Sequence, residues 1–263
     1  MITSIKNRSL ISVTGEDSEN FLQSQFTNDI YKVSNKNIQI SAFCQHQGKI
    51  LVLVWVFRMG DSIILSCVDE LTDLLLSKLN TFKFFSKVEF QVITDNFFIY
   101  GLIGENMDSS YKFYENLDIL VSKDKIDSSS QKYWELSCIN FNIPEVFLIS
   151  SEKFIPQALN LDIDELGVSF SKGCYPGQEV VARMHYLGKP KRRLFHFESM
   201  CEPTIGDSIT VKESESLRSS GKVIRVAKIH SSYHLLGTLE VKHSANQIYL
   251  NNDIKKPLKI IDA

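Results

Sequence analysis

The 263-residue sequence predicts an α+β fold, with sheets carrying packed helices to about residue 189 and a small all-β barrel or sandwich after it. Three observations carry this reading. Short apolar runs rich in β-branched residues are interspersed with two segments of helical period. Proline is absent from the first 143 residues and then appears at Pro144, Pro156, Pro176, Pro190, Pro203 and Pro257, which marks a change to loop-rich structure. After Pro190, short strand patterns alternate with turn residues. A domain boundary is therefore placed near Lys189, giving regions 1–189 and 190–263.

In order, Ser9 to Val13 reads as a strand, and Thr14-Gly15-Glu16-Asp17 as a capping-box-like start to a helix carrying Phe21, Leu22, Gln25 and Phe26. Thr27-Asn28-Asp29 closes it as a turn. Strands are expected at Ile38 to Phe43, Ile50 to Phe57 and Ile63 to Val68, followed by a helix with Leu71, Leu74, Leu75, Leu79 and Phe82 on its apolar side. Val88 to Ile93, Phe97 to Ile103 and, more weakly, Leu117 to Val121 extend the strands. The final region offers Leu194 to Glu198, Ser208 to Lys212, Lys222 to Ile229, Tyr233 to Val241, Gln247 to Leu250 and Leu258 to Ile261.

Composition excludes several classes. At 43% hydrophobic and 23% charged the chain is neither disordered nor fibrous, and a net charge of -2 gives no general attraction for nucleic acid or anionic lipid. The longest apolar run, Ile50 to Phe57, is far below the ~20 residues that cross a bilayer. Five cysteines, Cys44, Cys67, Cys138, Cys174 and Cys201, and a first segment lacking a signal-peptide apolar region point to a reducing, cytoplasmic setting. No C-x-x-C or paired His suggests a metal site, and no G-x-G-x-x-G or Walker loop suggests a nucleotide site. The six histidines are scattered and receive no catalytic role.

The most informative segment is Ser171 to Arg193, SKGCYPGQEVVARMHYLGKPKRR. Gly173 and Gly177 bracket Cys174 and Pro176, a composition that forces a tight exposed loop. Gln178 to His185 then reads as a short helix with Val180, Val181 and Met184 inward and Glu179 paired to Arg183. Cys174, before that helix and two residues after Lys172, would be favoured as a thiolate by both. The alternative is a cysteine that packs as a small apolar residue. Lys172, Arg183, Lys189, Lys191, Arg192 and Arg193 form a basic stretch that could steer a polyanion or serve as a solvated loop.

The string KGCYPGQEVVAR resembles the signature K-G-C-[FY]-x-G-Q-E-x-x-x-R of the folate-binding YgfZ family, relatives of the glycine-cleavage T protein, an aminomethyltransferase. The resemblance extends to Val13-Thr14-Gly15-Glu16-Asp17-Ser18, Phe21-Leu22-Gln23, Thr27-Asn28-Asp29, Phe85-Ser86-Lys87-Val88 and Phe154-Ile155-Pro156-Gln157 with Asn160-Leu161, so it covers nearly the whole chain. It implies a ring of three small domains, two interleaved α/β subdomains and a C-terminal β-barrel, around a tetrahydrofolate site. It also implies a monomeric accessory role toward iron-sulfur enzymes or their assembly factors, including those that thiolate tRNA, with any tRNA contact indirect.

Carried over by position, the resemblance implies Cys174 and Lys172 as the reactive pair, and Tyr175, Gln178, Glu179 and Arg183 in folate binding. Trp134 falls where the family places a folate-contacting tryptophan, and an indole face can stack on a flat pterin. The chain departs from the family at Ser24 and Asn142, where glycine is usual, and at Cys44-Gln45-His46-Gln47-Gly48. Where aminomethyltransferases carry an acidic pair, an ungapped reading puts Val52 and Leu53, which cannot move a proton. The expected function is thus accessory rather than conventionally enzymatic, with folate-dependent aminomethyl transfer as the alternative.

Overall fold

The computed structural model describes residues 1–213 and 216–261. The strands are β1 (Ile2–Ile5), β2 (Arg8–Thr14), β3 (Gln39–Cys44), β4 (Ile50–Met59), β5 (Ser62–Val68), β6 (Glu89–Val92), β7 (Phe98–Ile103), β8 (Tyr111–Tyr114), β9 (Leu117–Ser122), β10 (Arg192–Ser199), β11 (Ser208–Glu213), β12 (Ser216–Ile229), β13 (Ser232–Glu240), β14 (Ile248–Leu250) and β15 (Asp253–Ile261). The helices are α1 (Ser18–Gln23), α2 (Thr72–Phe82), α3 (Lys132–Asn140) and α4 (Gln178–Leu187).

Eight consecutive buried residues, Ile50 to Phe57, make β4 an interior strand covered on both faces, as its unbroken apolar run requires. It lies second in a five-stranded sheet of order β3-β4-β5-β2-β6. A second sheet has the order β1-β7-β9-β8. The chain passes from the second sheet to the first between β1 and β2, through Asn7 at φ 59°, so the two halves are interleaved. Asn tolerates this left-handed conformation better than other side chains. β10-β13-β12-β11-β14-β15 close into a six-stranded barrel with its own core around Phe197, Val211, Val223 and Leu235. Closure removes the exposed edges that a small sheet would otherwise present. Two interleaved sheet-and-helix halves plus a barrel is the expected fold.

Four elements depart from the sequence expectations. Asp17 stands at the α1 N-cap without capping it; its Oδ2 accepts instead from the Lys87 amide at 2.8 Å, tying the helix start to the loop before β6. α3 was not anticipated because its buried residues, Trp134, Cys138 and Ile139, form no regular amphipathic stripe. The short strands β1 and β8 gain definition only from their sheet partners. Among the described residues no helix is long and apolar enough to cross a membrane.

Candidate functional site

The KGCYPG loop docks on the turn that follows α1. Lys172 Nζ donates to the carbonyls of Gln23 and Phe26, each at 2.5 Å, and of Asn28 at 3.1 Å. These three bonds use all the hydrogens of the ammonium. The Ser169 amide donates to Thr27 O at 3.0 Å, and Thr27 Oγ1 donates to Gly167 O at 2.6 Å. Thr27-Asn28-Asp29 and the signature loop, remote in sequence, are thus one structural unit. Burial pushes the Lys172 pKa down to about 8, an effect that Asp29 opposes.

The loop's second anchor is a close backbone approach. Gly177 has φ 83°, and a Cβ there would lie 2.5 Å from Gln45 O and 2.6 Å from Gly48 Cα. Only glycine allows the α4 start to sit on the β3–β4 hairpin. A Cβ on Gly173 would meet nothing within 4 Å, so that glycine is not demanded by packing. Tyr175 is buried, its ring centroid 5.3 Å from Lys172 Nζ, and burial beside Cys44 raises its pKa.

Several expectations for the loop are corrected. Lys172 clamps carbonyls rather than serving Cys174, and α4 begins at Gln178, so Tyr175 to Gly177 separate Cys174 from the first helical turn. A helix dipole acts mainly within its first turn. Cys174 itself is exposed, so it does not pack as a small apolar core residue. Val181 is fully buried but Val180 is 38% exposed, because successive residues on a helix point about 100° apart. Glu179 and Arg183 are exposed and form no ion pair within 4.0 Å among the described residues; a solvated pair gains too little to hold both chains. Gln178 is half-buried, its amide donating to Tyr175 O.

The basic stretch divides. Arg193 makes a bidentate pair with Asp162 at 2.5 and 3.0 Å and also donates to Gln157 O, which fixes the entry to the barrel. Arg192 pairs with Glu240 at 3.0 Å. Lys189 and Lys191 remain exposed.

Trp134 lies elsewhere, in a cavity where both sheets, α3 and the barrel meet. Arg8 from β2, Trp55 from β4, Trp134 and Glu135 from α3, Glu145, and Arg225 from β12 line it. Arg8 stacks its guanidinium 3.4 Å from the Trp55 ring centroid, donates to Ser66 O at 2.8 Å and pairs with Glu145. Arg225 pairs with Glu135 and reaches Glu145 at 3.4 Å. Burial works to lower the Arg225 pKa, but Glu135 and, less strongly, Glu145 outweigh it and raise the value. A buried charge pair is costly to break, since either partner alone is left desolvated, at about 3–5 kcal/mol. This network therefore fastens the barrel to α3. Trp55 Nε1 and Arg225 Nε are buried donors without an acceptor among the described residues. Trp134 is 1% exposed, 6.2 Å from Trp55 and 5.8 Å from Phe113 by ring centroids, with Gly101 beneath its six-membered ring.

The structure thus sorts the anticipated residues into two places. Cys44, beside Tyr175, pairs with Ile50 at one end of β4, while Trp55 lies five residues further, about 16 Å at the rise of a strand. No residue from 172 to 183 lines the Trp134 cavity. Arg8, Trp55, Glu135, Glu145 and Arg225 escaped the sequence reading; the one available signal was arginine inside otherwise apolar strand patterns, which ordinarily marks a solvent face. Val52 and Leu53 are buried in the middle of β4, opposite Phe43 and Ala42. A carboxylate there would lie in an apolar layer. Asn142 has φ 53°, so asparagine serves where glycine is usual, whereas Ser24 at φ -81° needs no glycine.

An interleaved pair of sheets, a barrel pinned to them by buried arginine and a tryptophan-lined cavity define an aminomethyltransferase-type fold. The glycine cleavage system aminomethyltransferase T from Bartonella henselae superposes with a TM-score of 0.71 at 11% identity, covering 100% of this chain and 84% of that one. No family model matches the chain. A Haemophilus influenzae protein described as uncharacterized is 32% identical over 264 residues, 95% of this chain and 89% of its own. The tRNA-modifying protein YgfZ of Colwellia psychrerythraea is 30% identical over 251 residues, 81% of this chain and 77% of its own. The chain belongs to the YgfZ family.

Proposed function

We propose that this protein binds tetrahydrofolate in the central cavity and acts as an accessory factor for iron-sulfur enzymes that modify tRNA, with Cys174 as its exposed working thiol. The observation that carries the reading is the donor and acceptor set around Trp134. A pterin presents an amino group and ring N–H to acceptors, a carbonyl to donors, and a flat face to aromatic rings. Glu135 and Glu145 would accept, the orphaned Trp55 Nε1 and Arg225 Nε would donate, and the indoles would supply the apolar wall. When bound, tetrahydrofolate supplies nitrogen atoms able to carry one-carbon units.

Chemistry fits, and space sets a condition. About 50 Å³ of the cavity is open to the centre of a water-sized sphere, room for a few waters, whereas ligand sites run to about 300–1,000 Å³. A neighbouring cleft of about 540 Å³ shares the Ile5 to Arg8 wall. Binding therefore requires that this crossover segment move and join the two spaces.

Aminomethyl transfer is less well supported. Val52 and Leu53 offer no acid or base, and the carboxylates that do line the cavity are already paired with Arg8 and Arg225. The testing experiment complements a deletion strain with wild type or Cys174→Ala and measures tRNA methylthiolation and iron-sulfur enzyme activity. Loss of rescue by a normally folded Cys174→Ala supports the reading; full rescue removes the thiol from it. Multiple turnover with tetrahydrofolate and an aminomethyl donor would favour the transferase.

A further inference from the structure

A second cleft of about 550 Å³ lies on the seam between the barrel and the segment before α4, and it shares no residue with the central cavity. Its polar wall carries Lys153, Arg192 and Lys222, and no carboxylate lines it among the described residues. Each cation keeps hydrogens to donate. Lys222 Nζ uses two on Gly206 O at 3.1 Å and Ser208 Oγ at 2.9 Å, which fixes its head and leaves one free. Arg192 bonds Ser220 O through Nε at 3.2 Å and Glu240 through Nη2 at 3.0 Å, so its Nη1 hydrogens remain. The Lys153 ammonium makes no hydrogen bond or ion pair among the described residues; the residue's backbone amide donates to Ser150 O at 3.2 Å. Glu240, which pairs with Arg192 at 3.0 Å, is shared with Lys242 and so does not cancel this group. The buried Thr238 hydroxyl accepts from the Lys222 amide at 3.1 Å and retains its own proton.

The opposite wall is apolar: Phe154 is buried, with 7% of its surface exposed, and Ile149, 61% exposed, packs on Gly206. Three cations and an apolar wall around one space of ordinary ligand size suit an anionic phosphate joined to a flat ring. We propose that this cleft binds a nucleoside monophosphate unit, either as a free nucleotide or as one nucleotide of an RNA. Lys153, Arg192 and Lys222 hold the phosphate, and Ile149 with Phe154 take the base. The proposal does not depend on folate binding at Trp134.

The test follows amide resonances of Ser150, Gly206 and Gly221 in the full-length protein as 5′-AMP, adenosine or a single-stranded RNA hexamer is added. Saturable shifts with 5′-AMP and none with adenosine are expected. Lys153→Glu, at an exposed unbonded side chain, should keep the melting temperature and weaken 5′-AMP binding about tenfold or more, as loss of a charge-assisted contact does. Displacement of 5′-AMP by the hexamer assigns the site to RNA; indifference to the hexamer assigns it to free nucleotide. Absent shifts, equal binding of adenosine, undiminished binding by Lys153→Glu, or shifts confined to the Trp134 cavity would overturn the proposal. Tetrahydrofolate titration, read separately by tryptophan fluorescence, keeps failure of the folate reading distinct.

Discussion

Lys172→Met separates two roles for the signature lysine. The variant keeps most of the stem but removes a cation that donates to three carbonyls at 2.5, 2.5 and 3.1 Å. Bonds to a charged donor contribute about 1.5–3 kcal/mol each, so the gross loss is about 4–9 kcal/mol. Against that stands relief of burying the ammonium: the fall in its pKa from 10.5 to about 8 corresponds to about 3 kcal/mol. The net cost is about 3 kcal/mol, which for a chain of this size lowers the melting temperature by about 6 °C or more. Urea denaturation and thermal melting measure the cost, and iodoacetamide labelling with mass spectrometry follows Cys174 in the same samples. The clamp account predicts a destabilised protein whose native Cys174 is alkylated at pH 7 within about twofold of wild type, because the lysine's hydrogens are committed elsewhere. Unchanged stability with alkylation slowed tenfold would refute it and return Lys172 to the service of the thiol.

Other expected outcomes follow from the same geometry. In Gly101→Ala the new methyl would lie 2.1 Å from Trp134 Cε3, costing about 3 kcal/mol by melting, while Gly173→Ala, with open space around it, should stay within about 0.5 kcal/mol. Native protein treated with a thiol reagent should be labelled at Cys174 and, more slowly, Cys201; Cys67 and Cys138, whose pKa values burial pushes up to about 11 and about 12, and the buried Cys44 should react only on unfolding. His196, on β10, has its pKa lowered to about 4 by burial and by His234, whose Nδ1 is 2.9 Å from its Nε2, against the pull of Glu198. The unfolded chain therefore takes up that proton first as pH falls from about 6.5 to about 4, and stability should drop across that window. Urea midpoints at pH 7 and pH 4.5 should show the drop in wild type and much less of it in His196→Gln.

The fold was legible wherever burial has a simple period. The β4 run and the α2 stripe needed no partner to be recognised, and the six barrel strands announced themselves by turn residues. α3 was not legible because it is gripped on several sides, by Phe113, Trp55 and the barrel, and so carries no single apolar face. The signature loop was legible as a loop, and Gly177 has a physical reason to be glycine. The partners of Lys172 were not, since backbone carbonyls leave no trace in a residue pattern. Glu145 lies 137 positions from Arg8 and 80 from Arg225, so pairing of this kind emerges only once topology joins β2, β12 and the segment after α3. Asn142 shows the reverse case: a departure from the family pattern that costs little, because asparagine tolerates φ 53°.

The central claim is that folate binding and thiol function reside in different parts of the molecule. Tetrahydrofolate titrated into wild type, Trp134→Phe and Cys174→Ala, followed by tryptophan fluorescence and checked by calorimetry, tests it most directly. The account predicts saturable binding to wild type, a Kd within about twofold in Cys174→Ala, and binding about tenfold weaker in Trp134→Phe, where a large aromatic contact at the cavity is trimmed. Absence of binding to wild type, equal affinity in Trp134→Phe, or loss of binding in a normally folded Cys174→Ala would contradict it.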